Sequence, residues 1–292
     1  MKQRDKREFA TVLVAALEAH FGDGVRVQPT VLSQNNGVSA PGICITRSGQ
    51  EIPFVIGLEG HYEAWATGVS LDDILAAILQ CFALHPQTFE DAKNKIRQSV
   101  ADGHLYPKLI STAHNREDLP LLPHRRFLDL AVTYYCEMGE TSAPSSIAVT
   151  PMLTRPLAEA LDLAEEQLYE MAMRNMRVNK HLVTFDAETL QIVTADAKPH
   201  LLVLTYDTGL YGASCLLWPE VFADIAEGMR GDLWILPSSI HEVLVVPATG
   251  TAKDYLNDMV RTVNASQAIR PAEVLSDHVY RFSRKTGKVV MG

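Results

Sequence analysis

From Pro199 to Ser266 short apolar runs arrive in pairs, each joined by a turn of a few residues and followed by a segment of helical period. In order they are HLLVLTY, the turn DTGLYG, ASCLLW, the helix PEVFADIAEG, then DLWILP, HEVLVVP and the helix TAKDYLNDMVRTVNAS. Parallel neighbours need a crossover of about a dozen residues or more, and these turns are too short for one. The ββαββα order therefore predicts an α+β fold of antiparallel sheets with helices packed on one face, rather than a doubly wound parallel sheet. Local signals set the helix ends: Pro219 at the first helical position, Gly228 as the left-handed residue that closes the same helix, and Thr251 with Asp254 as a capping pair. VYRFSRKTGKVVMG reads as a last hairpin or edge pair.

The first half follows the same logic. Phe9, Val12, Leu13, Ala16, Leu17 and His20 recur at the 3.6 period of an amphipathic helix. VRVQPTVLS and GICITRSGQEIPFVIGL are strand-rich, with Asn36-Gly37 supplying positive φ at a hairpin. Ser70 is an N-cap with Asp73 three residues on, ahead of a stripe of Ile74, Leu75, Ile78, Leu79 and Phe82. Pro86 interrupts this helix, and TFEDAKNKIRQSV forms another.

The stretch from Asp102 to Arg126 carries Pro107, Pro120 and Pro123 and reads as an extended crossing segment at an inter-module boundary. RFLDLAVTYYCEM then alternates as a half-buried strand, with SSIAVT as its hairpin partner. Thr150-Pro151 reads as a cap with proline at the first helical position, and Asp162 with Glu165 as a capping box. At 292 residues the expected organisation is an N-terminal α+β module, 1–105, and a C-terminal one, 106–292, or one continuous domain.

Composition narrows the function classes. With 35 acidic against 26 basic residues the net charge is −9, which disfavours a nucleic-acid surface because phosphate neutralisation needs a basic face. Cys44, Cys81, Cys136 and Cys215 lie far apart with no CxxC pair, so they read as buried thiols of a reducing compartment rather than a zinc or disulfide framework. The N-terminus mixes Asp5 and Glu8 into its basic start, a poor signal peptide, and no segment approaches the ~20 apolar residues of a membrane span. A cytoplasmic protein without membrane partners is expected. Neither GxGxxG nor GxxxxGK[ST] occurs, and no pair among the ten histidines has helical metal-ligand spacing, so no cofactor and no metal are expected.

The densest polar string is LPSSIHEVLVVP, residues 236 to 247, which places Ser239, His241 and Glu242 directly before a buried run. On a strand His241 and Glu242 point to opposite faces, so they form no direct dyad, and Pro237 with the serines predicts a turn joining two strands. DTG at 207–209 resembles an aspartic-protease aspartate but lacks a second copy, and reads as a turn in which Asp207 caps its own backbone. Ser214 in GASCL lacks the second glycine of a nucleophile elbow. Arg125 and Arg126 are the anion-binding candidates, weighed against pairing with this chain's own acids. His61-Tyr62-Glu63 beside Trp65 reads as an aromatic packing turn, Asn264–Gln267 as a helix end, and His278 as unable to pair with its neighbour Asp277.

NNGV with PGICIT, PHRRFLDLAVTYY, EEQLYEMAMRNM, YGASCLLWPEVFADIAEGMRGDLWILPSSIHEV and VLSDHVYRFSRKTGKV together resemble an uncharacterised bacterial domain-of-unknown-function family, found largely in anaerobic Gram-positive bacteria. The resemblance spans roughly Val31 to Val289, with LPSSIHEV and LSDHVY as its specific strings, and a more distant similarity links the C-terminal half to another uncharacterised family. Neither resemblance implies an activity or catalytic residues. Two classes follow from the residues. One is a non-enzymatic interaction or regulatory protein with a protein or small-molecule partner; the alternative is a hydrolase using His241 with Glu242, Ser239 or a distant acid such as Asp277. The discriminator is geometric: catalysis needs His241 in a concave pocket within ~3.2 Å of a nucleophile or acid.

Overall fold

A computed structural model describes residues 5–138, 150–186, 201–237, 239–249, 252–266 and 268–292. Helix α1, Lys6–Phe21, buries Phe9, Leu13 and Leu17 and is capped by the Asp5 side chain. Strands β1 (Val25–Ser33), β2 (Ser39–Arg47) and β3 (Phe54–Gly57) form an antiparallel meander. Asn36 and Gly37 both take positive φ in the β1–β2 connection, as their side chains allow. The HYEAW segment, read as a turn, is instead helix α2, Glu59–Thr67. Helix α3, Leu71–Leu84, starts where expected, its Asp73 N–H donating to Ser70 Oγ at 3.1 Å, and Thr88 caps α4, Phe89–Ala101. One hydrophobic core joins α1, the meander and α3 through Phe9, Leu13, Ile43, Ile45, Ile78 and Phe82.

The proline-bearing stretch contains β4, Leu105–Ser111, in which every residue is buried. Pro107 is tolerated because β4 is the edge of the sheet β4-β6-β5, where its missing N–H leaves no ladder bond unmade. The expected module division at 105 falls at the start of this strand. Strands β5, Arg125–Phe127, and β6, Leu130–Cys136, complete the sheet, and all seven residues of β6 are buried, so it is not half-exposed. Its Thr133 hydroxyl makes this possible by donating to the Lys108 carbonyl at 3.0 Å. Most of SSIAVT lies outside the described residues; Pro151 and Leu153 hydrogen-bond to β6 in its place, so Thr150-Pro151 does not open a helix. Helix α5, Arg155–Ala160, follows Thr154. Helix α6, Glu165–Asn179, follows Ala164, whose N–H donates to Gln167 Oε1, so the expected Asp162–Glu165 box is absent and Asp162 takes positive φ.

The C-terminal sheet is antiparallel in the order β12-β11-β9-β10-β8-β7, built from β7 (Leu182–Asp186), β8 (Leu202–Tyr206), β9 (Leu233–Leu236), β10 (Glu242–Pro247), β11 (Tyr280–Ser283) and β12 (Lys288–Met291). The fold is thus α+β with antiparallel sheets. One element of the ββαββα reading changes: ASCLLW is not a strand but part of a 3-10 turn, Gly212–Leu217, all of it buried. A short apolar run without alternation fits either structure, and the left-handed Tyr211 before it turns the chain away from the sheet edge. Helix α7, Pro219–Gly228, has Pro219 at its start as expected, but Arg230 rather than Gly228 takes the left-handed closing position. Thr251 lies outside the described residues, and α8, Lys253–Ala265, follows Ala252.

The second core is larger. It joins β4 and β6 to α6, α7 and the Leu233/Ile235 face of the C-terminal sheet. The other face of that sheet, through Trp234 and Leu236, packs on Leu256 and Val260 of α8, so helices cover both sides. The two halves meet through side chains. Asn35 Nδ2 donates to the Ala272 carbonyl, and Asn36 Nδ2 to those of Pro271 and Val274, while Asn115 holds both the Asn36 N–H and its Oδ1.

Candidate functional site

LPSSIHEV occupies the connection between β9 and β10, which pair as an antiparallel hairpin. Ser239 is buried, its hydroxyl accepts the His241 N–H at 3.0 Å, and its own N–H donates to the Glu242 carbonyl at 3.3 Å. This serine closes a turn and presents no nucleophile. The His241 carbonyl accepts from Thr205 Oγ1 at 2.9 Å. Its ring, 25% exposed, lies within 15° of the Tyr211 ring plane, and Nδ1 accepts the Tyr211 N–H at 3.2 Å. That bond leaves the proton on Nε2. Nε2 stands 3.8 Å from Glu273 Oε1, beyond hydrogen-bond range.

Burial pushes the His241 imidazole down to about 4; Lys108 and Arg270 add to this and the Gly209 carbonyl opposes it. The ring is therefore neutral near pH 7, and the 3.8 Å approach to Glu273 is not an ion pair there. Burial pushes the Glu273 carboxyl up, Arg270 opposing and Glu63 and Glu242 reinforcing. A base poised near 4 without a hydroxyl or thiol against it is ill matched to nucleophilic catalysis at neutral pH. The thiols are no better: burial pushes Cys136 up to about 12 and raises Cys215 further.

The structure brings to His241 residues that the sequence reading passed over. Tyr211, held at φ +54°, stacks on it, and Tyr135 meets the Tyr211 ring edge-on at 4.7 Å. Lys108, on β4, sets its ammonium 4.4 Å from the Tyr211 ring centroid. Arg270 pairs with Glu63 of α2 and lies 3.4 Å from Glu273. Beside this cluster Lys180 pairs with Glu137 over the Tyr106 ring. The available signal was a lysine inside LYPKLI, an otherwise apolar run that must be buried.

The remaining sequence candidates are spread elsewhere. Arg125 is gripped by Glu165 through two bonds of 2.8 Å and by Glu166 through a third, and its guanidinium lies 3.7 Å from the Tyr169 ring centroid. Tyr134 also donates to Glu165. Arg126 donates to the Leu128 carbonyl. Glu242 opens β10 opposite Thr205, and Asp277 accepts from Asn264. Asp207 accepts its neighbour's N–H at 2.8 Å with Gly209 at φ +68°, the expected turn. His278 does find an aspartate, at 3.4 Å, but it is Asp129, which also receives the hydroxyls of Ser276 and Tyr280. Among the described residues no three His, Cys, Asp or Glu side chains cluster to hold a metal, and no helix is long and apolar enough to cross a membrane.

No curated protein and no solved structure matches this chain. A family model described as a family of unknown function, DUF5688, matches residues 6–284, and with nearly the whole chain covered the protein belongs to that family.

Proposed function

We propose that the protein is a non-enzymatic interaction or regulatory module that works by binding, in the cytoplasm. The observation that carries this reading is the Tyr211 N–H to His241 Nδ1 bond at 3.2 Å. It commits one ring nitrogen to the backbone, while the nearest acid stands 3.8 Å from the other. The Ser239 and Thr205 hydroxyls both bond the His241 backbone and fix the same loop. Four free cysteines, three of them buried, fit a reducing compartment. The hydrolase alternative is tested directly. Purified protein and His241→Ala are assayed against generic ester, peptide and phosphate-ester substrates. The binding reading expects no turnover above background from either; turnover lost in His241→Ala overturns it.

A further inference from the structure

Among the described residues, the buried charged side chains are Lys108 and Lys180, at 9% and 6% exposure. Burying an ammonium is costly unless a carboxylate or acceptors replace its water. Lys180 obeys this rule through Glu137. Lys108 does not: its ammonium forms a cation–π contact with Tyr211 and neither hydrogen bond nor ion pair with any described residue. Its Nζ is not among the fully buried side-chain atoms without partners in the described residues, which are Thr112 Oγ1, Trp234 Nε1 and Asn264 Oδ1. An ammonium with three donors, nine-tenths buried and without an acceptor, is arranged for an acceptor that comes from outside.

We infer that Lys108, beside the Tyr211 ring, is the seat of a binding site for the carboxylate of a small organic acid. The charge balance selects this class. Arg270 lies against Glu63 and Glu273 and Lys180 against Glu137, so among the described residues Lys108 is the one of these three cations with no carboxylate in contact, while the three cations and three carboxylates together are already neutral. A monoanion adds a single negative charge to this neutral group, whereas a phosphate dianion adds two beside Glu273. With Lys108 only 9% exposed, a small molecule reaches it more readily than the broad surface of a folded protein. Tyr211 is held for this role by its left-handed backbone and by the His241 ring stacked on it. This inference rests on the binding reading and names its ligand class.

The test uses the full chain, with acetate and benzoate as probes and chloride and inorganic phosphate at matched ionic strength as comparisons. Wild type, Lys108→Met and the exposed-site control Lys285→Met are compared by thermal shift and calorimetric titration. The site predicts saturable benzoate binding in wild type and Lys285→Met, weakened at least about ten-fold in Lys108→Met. It also predicts that unliganded Lys108→Met melts about 2–4 °C above wild type, because an unpaired buried charge is gone. Lys108→Gln serves as a second variant if the methionine form does not fold. A lower melting point in both variants together with no carboxylate binding to wild type makes Lys108 a structural cation and overturns the site. Equal binding by phosphate, or unchanged benzoate binding in the variants, overturns it too. Absence of saturable binding to wild type overturns the site and leaves the non-catalytic reading intact, whereas conversion of a bound acid to product overturns that reading and leaves the site standing.

Discussion

Gly212 and His241 touch through their backbones: a Cβ at position 212 would lie 2.4 Å from the His241 carbonyl oxygen and 2.7 Å from Thr205 Cα. This contact fixes the 3-10 turn against β8 and β10 and thereby sets the Tyr211 ring under Lys108. Gly212→Ala forces backbone apart and is expected to cost about 3 kcal/mol or more. Gly209→Ala, at φ +68° but with open space around it, costs about 1–2 kcal/mol. Urea denaturation of the two variants checks the order; equal losses refute the close approach.

His241 makes stability pH-dependent with a defined sign. Its folded value, about 4, lies below the ordinary 6.5, so the unfolded chain binds the proton first as pH falls. Stability is full above pH 6.5 and is lost toward pH 4, by up to about 3 kcal/mol. Glu273, raised by burial, moves stability the opposite way, so the comparison keeps it intact. The slope of unfolding free energy between pH 6.5 and 4 should be shallower in His241→Gln than in wild type.

Lys180 and Glu137 are unequal partners to remove. Glu137→Gln leaves a nearly buried ammonium against Tyr106 without its carboxylate and should cost about 3–5 kcal/mol. Lys180→Met fills the same space without charge and frees the more exposed Glu137, so its cost should be clearly smaller. Chemical denaturation of both single variants and the double variant gives the coupling; a larger loss in Lys180→Met would contradict this account.

Asn36 joins the halves with two side-chain donors while holding φ at +64°. Asn36→Ala loses both bonds and the one that Asn115 donates to its Oδ1, and strains the backbone, for an expected cost of about 2–4 kcal/mol. Asn36→Gly loses the bonds alone and should fall between it and wild type. Limited proteolysis of the connections, alongside melting, reads whether the halves loosen.

Much of the architecture was legible because periodicity is local. Ser70 before the Ile74 stripe, Asn36-Gly37 between strands, and the paired runs joined by short turns each specify conformation within a few residues. ASCLLW was not legible, because its run of five buried residues shows no alternation to distinguish a strand from a tight helical turn. The half-exposed reading of β6 failed for a related reason: Thr133 is polar in sequence, yet the Lys108 carbonyl satisfies its hydroxyl inside the core. At the candidate site, sequence singled out His241 and argued against a dyad with Glu242 because adjacent strand positions diverge; in the fold His241 lies just before β10. It did not supply His241's surroundings. Tyr211, Lys108 and Glu273 come from three distant segments, and charge, burial and hydrogen bonding act through space rather than along the chain. The sequence by itself determined the strand and helix order and the class of fold; only the tertiary structure decided that one buried lysine has its carboxylate and the other has none.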